Sequence, residues 1–268
     1  MTLTPQQRED FERRGVLKLG ALLSAEAVRN ARELVYRKLE QIGVTQAGGW
    51  RLADGSKPQW PATGLKTSKV IGNRQPQFEA LIDEPAVIEV AAALLDGQAW
   101  DRTIFKRPQL LLTLPNADAW TLPTGWHSDF PRLASRQSPG IQLFVCLDEV
   151  RPRGGATLVV AGSHRLLNDG RFLRTADITA ALGRTAFFQR LFAGSAAADL
   201  PIGEEDRIEL QVMEMTGAPG DAYLMDLRLL HAAAPNASDR PRLMATHRFA
   251  RADLIRESAK GFGWETMA

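Results

Sequence analysis

GIQLFVCLDEVRPRGGATLVVAGSHR, residues 140–165, holds two short apolar runs rich in Ile, Leu, Phe and Val. The turn signal PRGG separates them, and a glycine turn at GSHR follows. Short runs of this composition, bounded by Gly and Pro, read as β-strands. Similar runs lie at RPQLLLTL (107–114), RIELQVMEM (207–215), DAYLMDLRLL (221–230) and RLMATHRFA (242–250), with APGD (218–221) as another bounding turn. Many short strands without intervening helices argue for an antiparallel sandwich or barrel. The exception is residues 165–206, which read as partly helical and as an insertion over an opening.

Upstream, the texture is helical. In LTPQQREDFERRG (3–15), Thr4 can cap a helix, Pro5 suits its first position and Gly15 can stop it. In LSAEAVRNARELVYRKLEQIG (23–43), Ser24 can cap, and Val28, Ala31, Val35, Leu39 and Ile42 form a stripe with helical spacing before Gly43. A third helix is expected in EPAVIEVAAALLDG (84–97). Between the second and third lies a Gly- and Pro-rich stretch, 47–76, carrying Trp50 and Trp60; a long mixed segment of this kind reads as a functional loop. The chain thus reads as one domain, 1–268, with a mainly helical flank over 1–100 and a β core over 103–250.

Composition narrows the classes. Of 268 residues 44% are hydrophobic and 24% charged, ordinary for a globular domain. Thirty-three basic residues against 31 acidic ones leave a net charge of only +2, which argues against a nucleic-acid binder. The single cysteine, Cys146, excludes an intramolecular disulfide, fits a reducing cytosol and reads as a buried core thiol. The N-terminus shows no hydrophobic signal core and no apolar run nears the ~20 residues that span a bilayer, so a cytoplasmic location without a membrane partner is expected. Monomer and dimer fit the sequence equally well.

Four histidines are candidates for chemistry: His127, His164, His231 and His247. His164 reads as a turn histidine and His247 as a satisfied strand residue. His127 sits in TGWHSDFP (124–131), two residues before Asp129, and side chains at i and i+2 of an extended segment point the same way. His231 ends the apolar run AYLMDLRLLH, where a rigid strand supplies position and a loop leaves room. Two histidines and a carboxylate on one face of a metal, with open positions opposite, is the arrangement of non-haem Fe(II) oxygenases. An anionic cosubstrate needs a fixed cation, and arginine's planar fork matches a carboxylate. Arg242, eleven residues after His231, is the candidate; Arg240 is its local competitor and is expected to face solvent.

These residues resemble the phytanoyl-CoA dioxygenase-like branch of Fe(II)/2-oxoglutarate-dependent oxygenases, over most of the chain. LTPQQREDFERRGVLKLGALLSAEAV resembles the family's opening helix, short strand and second helix, and WHSDF its H-x-D segment. VCLDEVRPRGGATLVVAGSHR and APGDAYLMDLRLLHAAAPNASDRPR resemble its two other recognisable blocks. The resemblance implies a double-stranded β-helix (jelly roll, cupin-like) with flanking helices. It implies His127, Asp129 and His231 as Fe(II) ligands and catalytic residues, and Arg242 as the partner of the 2-oxoglutarate C5 carboxylate. Gln109 is the first candidate for a further 2-oxoglutarate contact and Thr157 the second. The implied reaction consumes O2, decarboxylates 2-oxoglutarate to succinate and CO2, and oxidises a substrate C–H. Related halogenases lack the carboxylate, so Asp129 favours hydroxylation or another oxidation over halogenation.

Substrate-side candidates follow from loop position and side-chain character: Trp50, Arg51, Trp60, Lys66, Trp120, Phe130, Arg132 and Arg228. Dispersed Arg and Lys with Trp suit a small anionic or zwitterionic metabolite. An acyl-CoA hydroxylase of the same mechanism, a non-oxidative cupin-like metalloprotein and a silent jelly-roll binding module are the alternatives.

Overall fold

A computed structural model describes residues 2–45, 75–98, 100, 107–194 and 199–254. Among these residues nine strands form two antiparallel sheets facing one another. The strands are β1 (Val16–Leu19), β2 (Gln109–Thr113), β3 (Gly140–Cys146), β4 (Thr157–Ala161), β5 (Ile202–Glu205), β6 (Ile208–Glu214), β7 (Ala222–Asp226), β8 (His231–Ala233) and β9 (Arg242–Ala250). The larger sheet runs β1-β7-β3-β9-β2 and the smaller β5-β6-β4-β8. This is the expected jelly-roll core, mainly β with helices outside.

The helices are α1 (Pro5–Arg14), α2 (Ala25–Gln41), α3 (Pro76–Ile82), α4 (Pro85–Leu94), α5 (Thr175–Leu182) and α6 (Ala186–Phe192). Thr4 and Ser24 cap α1 and α2 through their hydroxyls, as their sequences imply. Gly15 closes α1 at φ 71°, and a side chain there would collide with His164 and Leu229. Helix α3 falls in a stretch whose sequence pattern predicts no element. Seven residues starting at Pro76 bury Phe78, Leu81 and Ile82 on one turn-spaced face, so tertiary packing makes the helix.

Period-two alternation explains the layering. All seven residues of β3 are buried because both faces of its sheet are covered. Ile141, Leu143 and Val145 pack toward α1–α4, with Val35, Leu39 and Val90; Phe144 and Cys146 pack into the sandwich with Val159, Tyr223, Met225 and Met244. Cys146 is therefore the core thiol expected, and burial pushes its pKa up to about 12. On β9, Leu243, Ala245 and Phe249 face the helices, which leaves Arg242, Met244, Thr246 and Arg248 on the inner face.

The segment 165–206 carries α5 and α6, in line with its partly helical pattern. Ile178, Leu182, Phe187, Phe188 and Leu191 of α5 and α6 cover the outer face of the smaller sheet, against Leu158, Val160, Leu210 and Val212. That face is apolar and must be covered, and the two helices form a lateral wall on it. Among the described residues no helix is long and apolar enough to cross a membrane.

Candidate metal centre

The backbone brings the two ligand histidines together before their side chains matter. His127 N donates to His231 O at 3.0 Å and His231 N to His127 O at 2.8 Å, a closed antiparallel bridge that continues the smaller sheet beyond β8. Val159 pairs with His231 on the other side. In each histidine Nδ1 meets a carbonyl two residues upstream: Gly125 O at 2.9 Å for His127 and Leu229 O at 3.1 Å for His231. These bonds place the proton on Nδ1 and leave each Nε2 lone pair for a ligand role. The rings lie 4.4 Å apart.

Asp129 completes the group. Its Oδ1 is 4.0 Å from His127 Nε2 and its Oδ2 3.8 Å from His231 Nε2, and the candidate ligand atoms of the three side chains lie within 4.8 Å of one another. His231 is buried, and burial holds its pKa below the ordinary value, with Asp129 opposing the shift. A neutral imidazole is what a metal requires. The donor set of two Nε2 and one carboxylate fits a divalent first-row metal on a single face, so the residues present fit the metal that the arrangement implies.

Arg242 lies deeper, fully buried at the start of β9. Its Nη2 donates to Thr113 Oγ1 at 2.7 Å and its Nη1 to Thr157 Oγ1 at 3.1 Å, while Nε has no partner among the described residues. Among the described residues no carboxylate pairs with it, and burial lowers its pKa to about 10. Asn236, fully buried, shapes the preceding turn by donating Nδ2 to Thr113 O and Arg240 O. Arg240 itself is half exposed beside Glu149, 3.7 Å away, in line with its expected solvent position.

The expected residues thus divide. His127, Asp129 and His231 converge, and Thr157 touches Arg242. Gln109 shares Thr113's face of β2 but is exposed and pairs with Thr246, so the residue of β2 that reaches Arg242 is Thr113, opposite it in register. That pairing follows from strand register, which single-strand periodicity does not reveal.

Four of the expected substrate-side residues are buried among protein partners. Arg132 is 1% exposed and donates to three carbonyl oxygens, of Leu166, Arg228 and Ser163, at 2.9–3.0 Å, so it ties loops together. Arg228 forms a buried ion pair with Asp226 at 2.8 Å. Phe130 packs with Leu133, Leu227 and Leu254; Trp120 packs with Trp126 behind the smaller sheet, under the Arg153 guanidinium. Burying their apolar surface is worth more than exposing it at a mouth. Trp50, Arg51, Trp60 and Lys66 lie outside the described residues.

A cavity of about 260 Å³ between α1, α4 and the turn after β4 contains no member of the triad and not Arg242. In its wall Asp226 pairs with Arg228, and Arg8 donates to Ala93 O.

Comparison with known proteins agrees with this architecture. An uncharacterised Mycobacterium tuberculosis protein, Rv1501, is 24% identical over 234 residues, 86% of this chain and 69% of the relative. The fold resembles that of the epimerase SnoN, solved in complex with Fe3+, alpha ketoglutarate and nogalamycin RO, with a TM-score of 0.56 at 18% identity, covering 92% of this chain and 83% of SnoN. It also resembles EctD from S. alaskensis with bound Fe, with a TM-score of 0.56 at 19% identity over 94% of this chain and 78% of that one. The sequence profile of the phytanoyl-CoA dioxygenase (PhyH) family matches residues 11–244, so the chain belongs to that family.

Proposed function

We propose that the protein is an Fe(II)- and 2-oxoglutarate-dependent dioxygenase that oxidises an unactivated C–H bond of a small-molecule metabolite. Arg242 carries this reading. Among the described residues its side-chain partners are neutral and its Nε is unpartnered, and a fully buried guanidinium so placed costs stability unless an anion joins it. The far carboxylate of a 2-oxo diacid, its other end at the triad, supplies that anion.

When bound, Fe(II) held by three protein ligands keeps open positions for a 2-oxo acid and O2 and couples decarboxylation of that acid to substrate oxidation. The chain's own residues prepare the site. His127 and His231 present Nε2 along a preset ladder, and Asp129 contributes the single negative charge. Thr113 and Thr157 hold the Arg242 fork toward the far carboxylate. Cys146, Val159, Met225 and Met244 exclude water from the sandwich beside it. The metal and oxo acid in the SnoN structure and the iron in EctD support the same cofactors here. The intact Asp129 favours hydroxylation or a related oxidation over halogenation.

The test is succinate formation by Fe(II)-loaded protein across amino acids, acyl-CoA thioesters and small natural products. Stimulation by a small metabolite is expected. Stimulation confined to acyl-CoA would replace the substrate class, and no succinate from any class would contradict the reading.

A further inference from the structure

Arg248, three inward-facing positions beyond Arg242 on β9, reaches across from the larger sheet to Asp129. Its Nε and Nη2 both donate to one oxygen, Oδ2, at 2.9 and 2.7 Å. Strand geometry puts the Cα atoms of Arg242 and Arg248 about 20 Å apart, so one strand presents a cation to each end of the site. The two guanidinium groups differ in their partners. Arg242 meets hydroxyls, whereas Arg248 grips a candidate metal ligand.

We propose that Arg248 is a positioning residue that caps Oδ2 of Asp129 and so enforces ligation through Oδ1 alone. This rests on the metal reading above. Two N–H groups from one guanidinium hold Oδ2 from one side, fix the orientation of the carboxylate and compete with a metal for that oxygen, which leaves Oδ1 as the better donor. The consequence is stereochemical. An uncapped carboxylate can turn and chelate a divalent ion with both oxygens, which occupies a fourth position. A capped one takes a single position and leaves three for exogenous ligands. Repulsion between guanidinium and dication works against metal affinity, so Arg248 is not explained as a device for tighter binding.

Arg248 also joins the two sheets at the mouth. Its neighbour on β3 in register is Gln142, whose Nε2 donates to Thr246 Oγ1 at 2.9 Å, and Thr246 Oγ1 donates in turn to Leu143 O at 2.7 Å. This buried network steadies the strand from which the guanidinium projects.

The test uses Mn(II) as probe on the full-length protein, without 2-oxoglutarate, and counts metal-bound waters by water-proton relaxivity and by EPR line broadening in 17O-water. An octahedral ion on three protein atoms holds about three waters, and a chelating Asp129 leaves about two, so Arg248→Gln should lower relaxivity by about a third. Arg248→Lys keeps a cation on Oδ2 and should restore most of the wild-type value. Asp129→Asn should abolish the dependence, giving the same count with or without Arg248→Gln. Thermal melts of the metal-free variants identify any that fail to fold, and Arg248→Lys then carries the comparison with Asp129→Asn. A wild-type water count in folded Arg248→Gln would overturn the proposal. Failure of the wild type to bind Mn(II) would instead overturn the metal reading beneath it.

Discussion

His127 and His231 are bound to each other twice through their backbones, at 3.0 and 2.8 Å, before either side chain meets a ligand. The separation of the two Nε2 atoms is therefore a property of a β-ladder and not of loop conformation, and sheet pairing resists the distortions that loops accept.

One expectation follows for the ligands. His231→Gln keeps both ladder bonds, so the metal-free protein should melt within a few degrees of wild type. Divalent metal affinity should fall at least about a hundredfold, since changes to outer partners alone typically cost about 10–100-fold. Calorimetric titration with Co(II) measures the loss. Retained affinity would remove His231 from the ligand set.

Arg242 should behave oppositely in stability and binding. Its charge is buried without an acid, so Arg242→Met should leave the melting temperature of the ligand-free protein unchanged or raise it. The same change should abolish stabilisation by 2-oxoglutarate, which at about 100 times its Kd gives wild type about 2.7 kcal/mol. A large loss of ligand-free stability would show that Arg242 serves the fold.

Arg132 is expected to be structural. Its three carbonyl acceptors lose their donors in Arg132→Met, and uncapping a buried network of this kind costs about 3–5 kcal/mol. Urea denaturation should show that loss while 2-oxoglutarate affinity of the folded fraction stays unchanged. The reverse pattern would return Arg132 to the substrate site.

The acid side of the stability profile should report His164. This imidazole is buried, its Nε2 lies 3.0 Å from Glu12 O, and burial pushes its pKa down to about 4 against a weaker opposing pull from Asp226. In the unfolded chain it titrates near 6.5. Between those values the unfolded state binds the extra proton, so stability rises with pH and is lost as pH falls from about 6.5 toward 4. The full shift corresponds to roughly 3 kcal/mol. His231, also shifted down by burial, adds to the slope. His164→Gln should flatten the melting profile across this window, and a slope equal to wild type would show that His164 is not the group responsible.

How much of this was legible depends on whether the signal was local. The H-x-D spacing, the strand ending in His231 and the following Arg242 are written in short segments, and the jelly-roll texture is written in turn-bounded apolar runs. The contacts of Thr113 and Arg248 were not legible, because they depend on which residue of a distant segment lies opposite. Gln109 lies on the same strand and face as Thr113 but pairs with Thr246, four residues along β9 from Arg242. Strands β5 and β8 are too short to show a pattern, and β5, Ile202–Glu205, has no buried residue to mark it. Arg132, Arg228, Trp120 and Phe130 have the character of mouth residues, yet packing from remote segments buries them. Charge and aromaticity in a loop do not distinguish anchor from contact.

The triad and Arg242 together are expected to hold a metal-bound 2-oxo acid. Adding Fe(II) and 2-oxoglutarate to the protein without oxygen should produce a weak visible charge-transfer band, absent in His127→Ala and Asp129→Ala and requiring much higher 2-oxoglutarate in Arg242→Met. Iron demonstrably bound by the wild type with no band at saturating 2-oxoglutarate would contradict it.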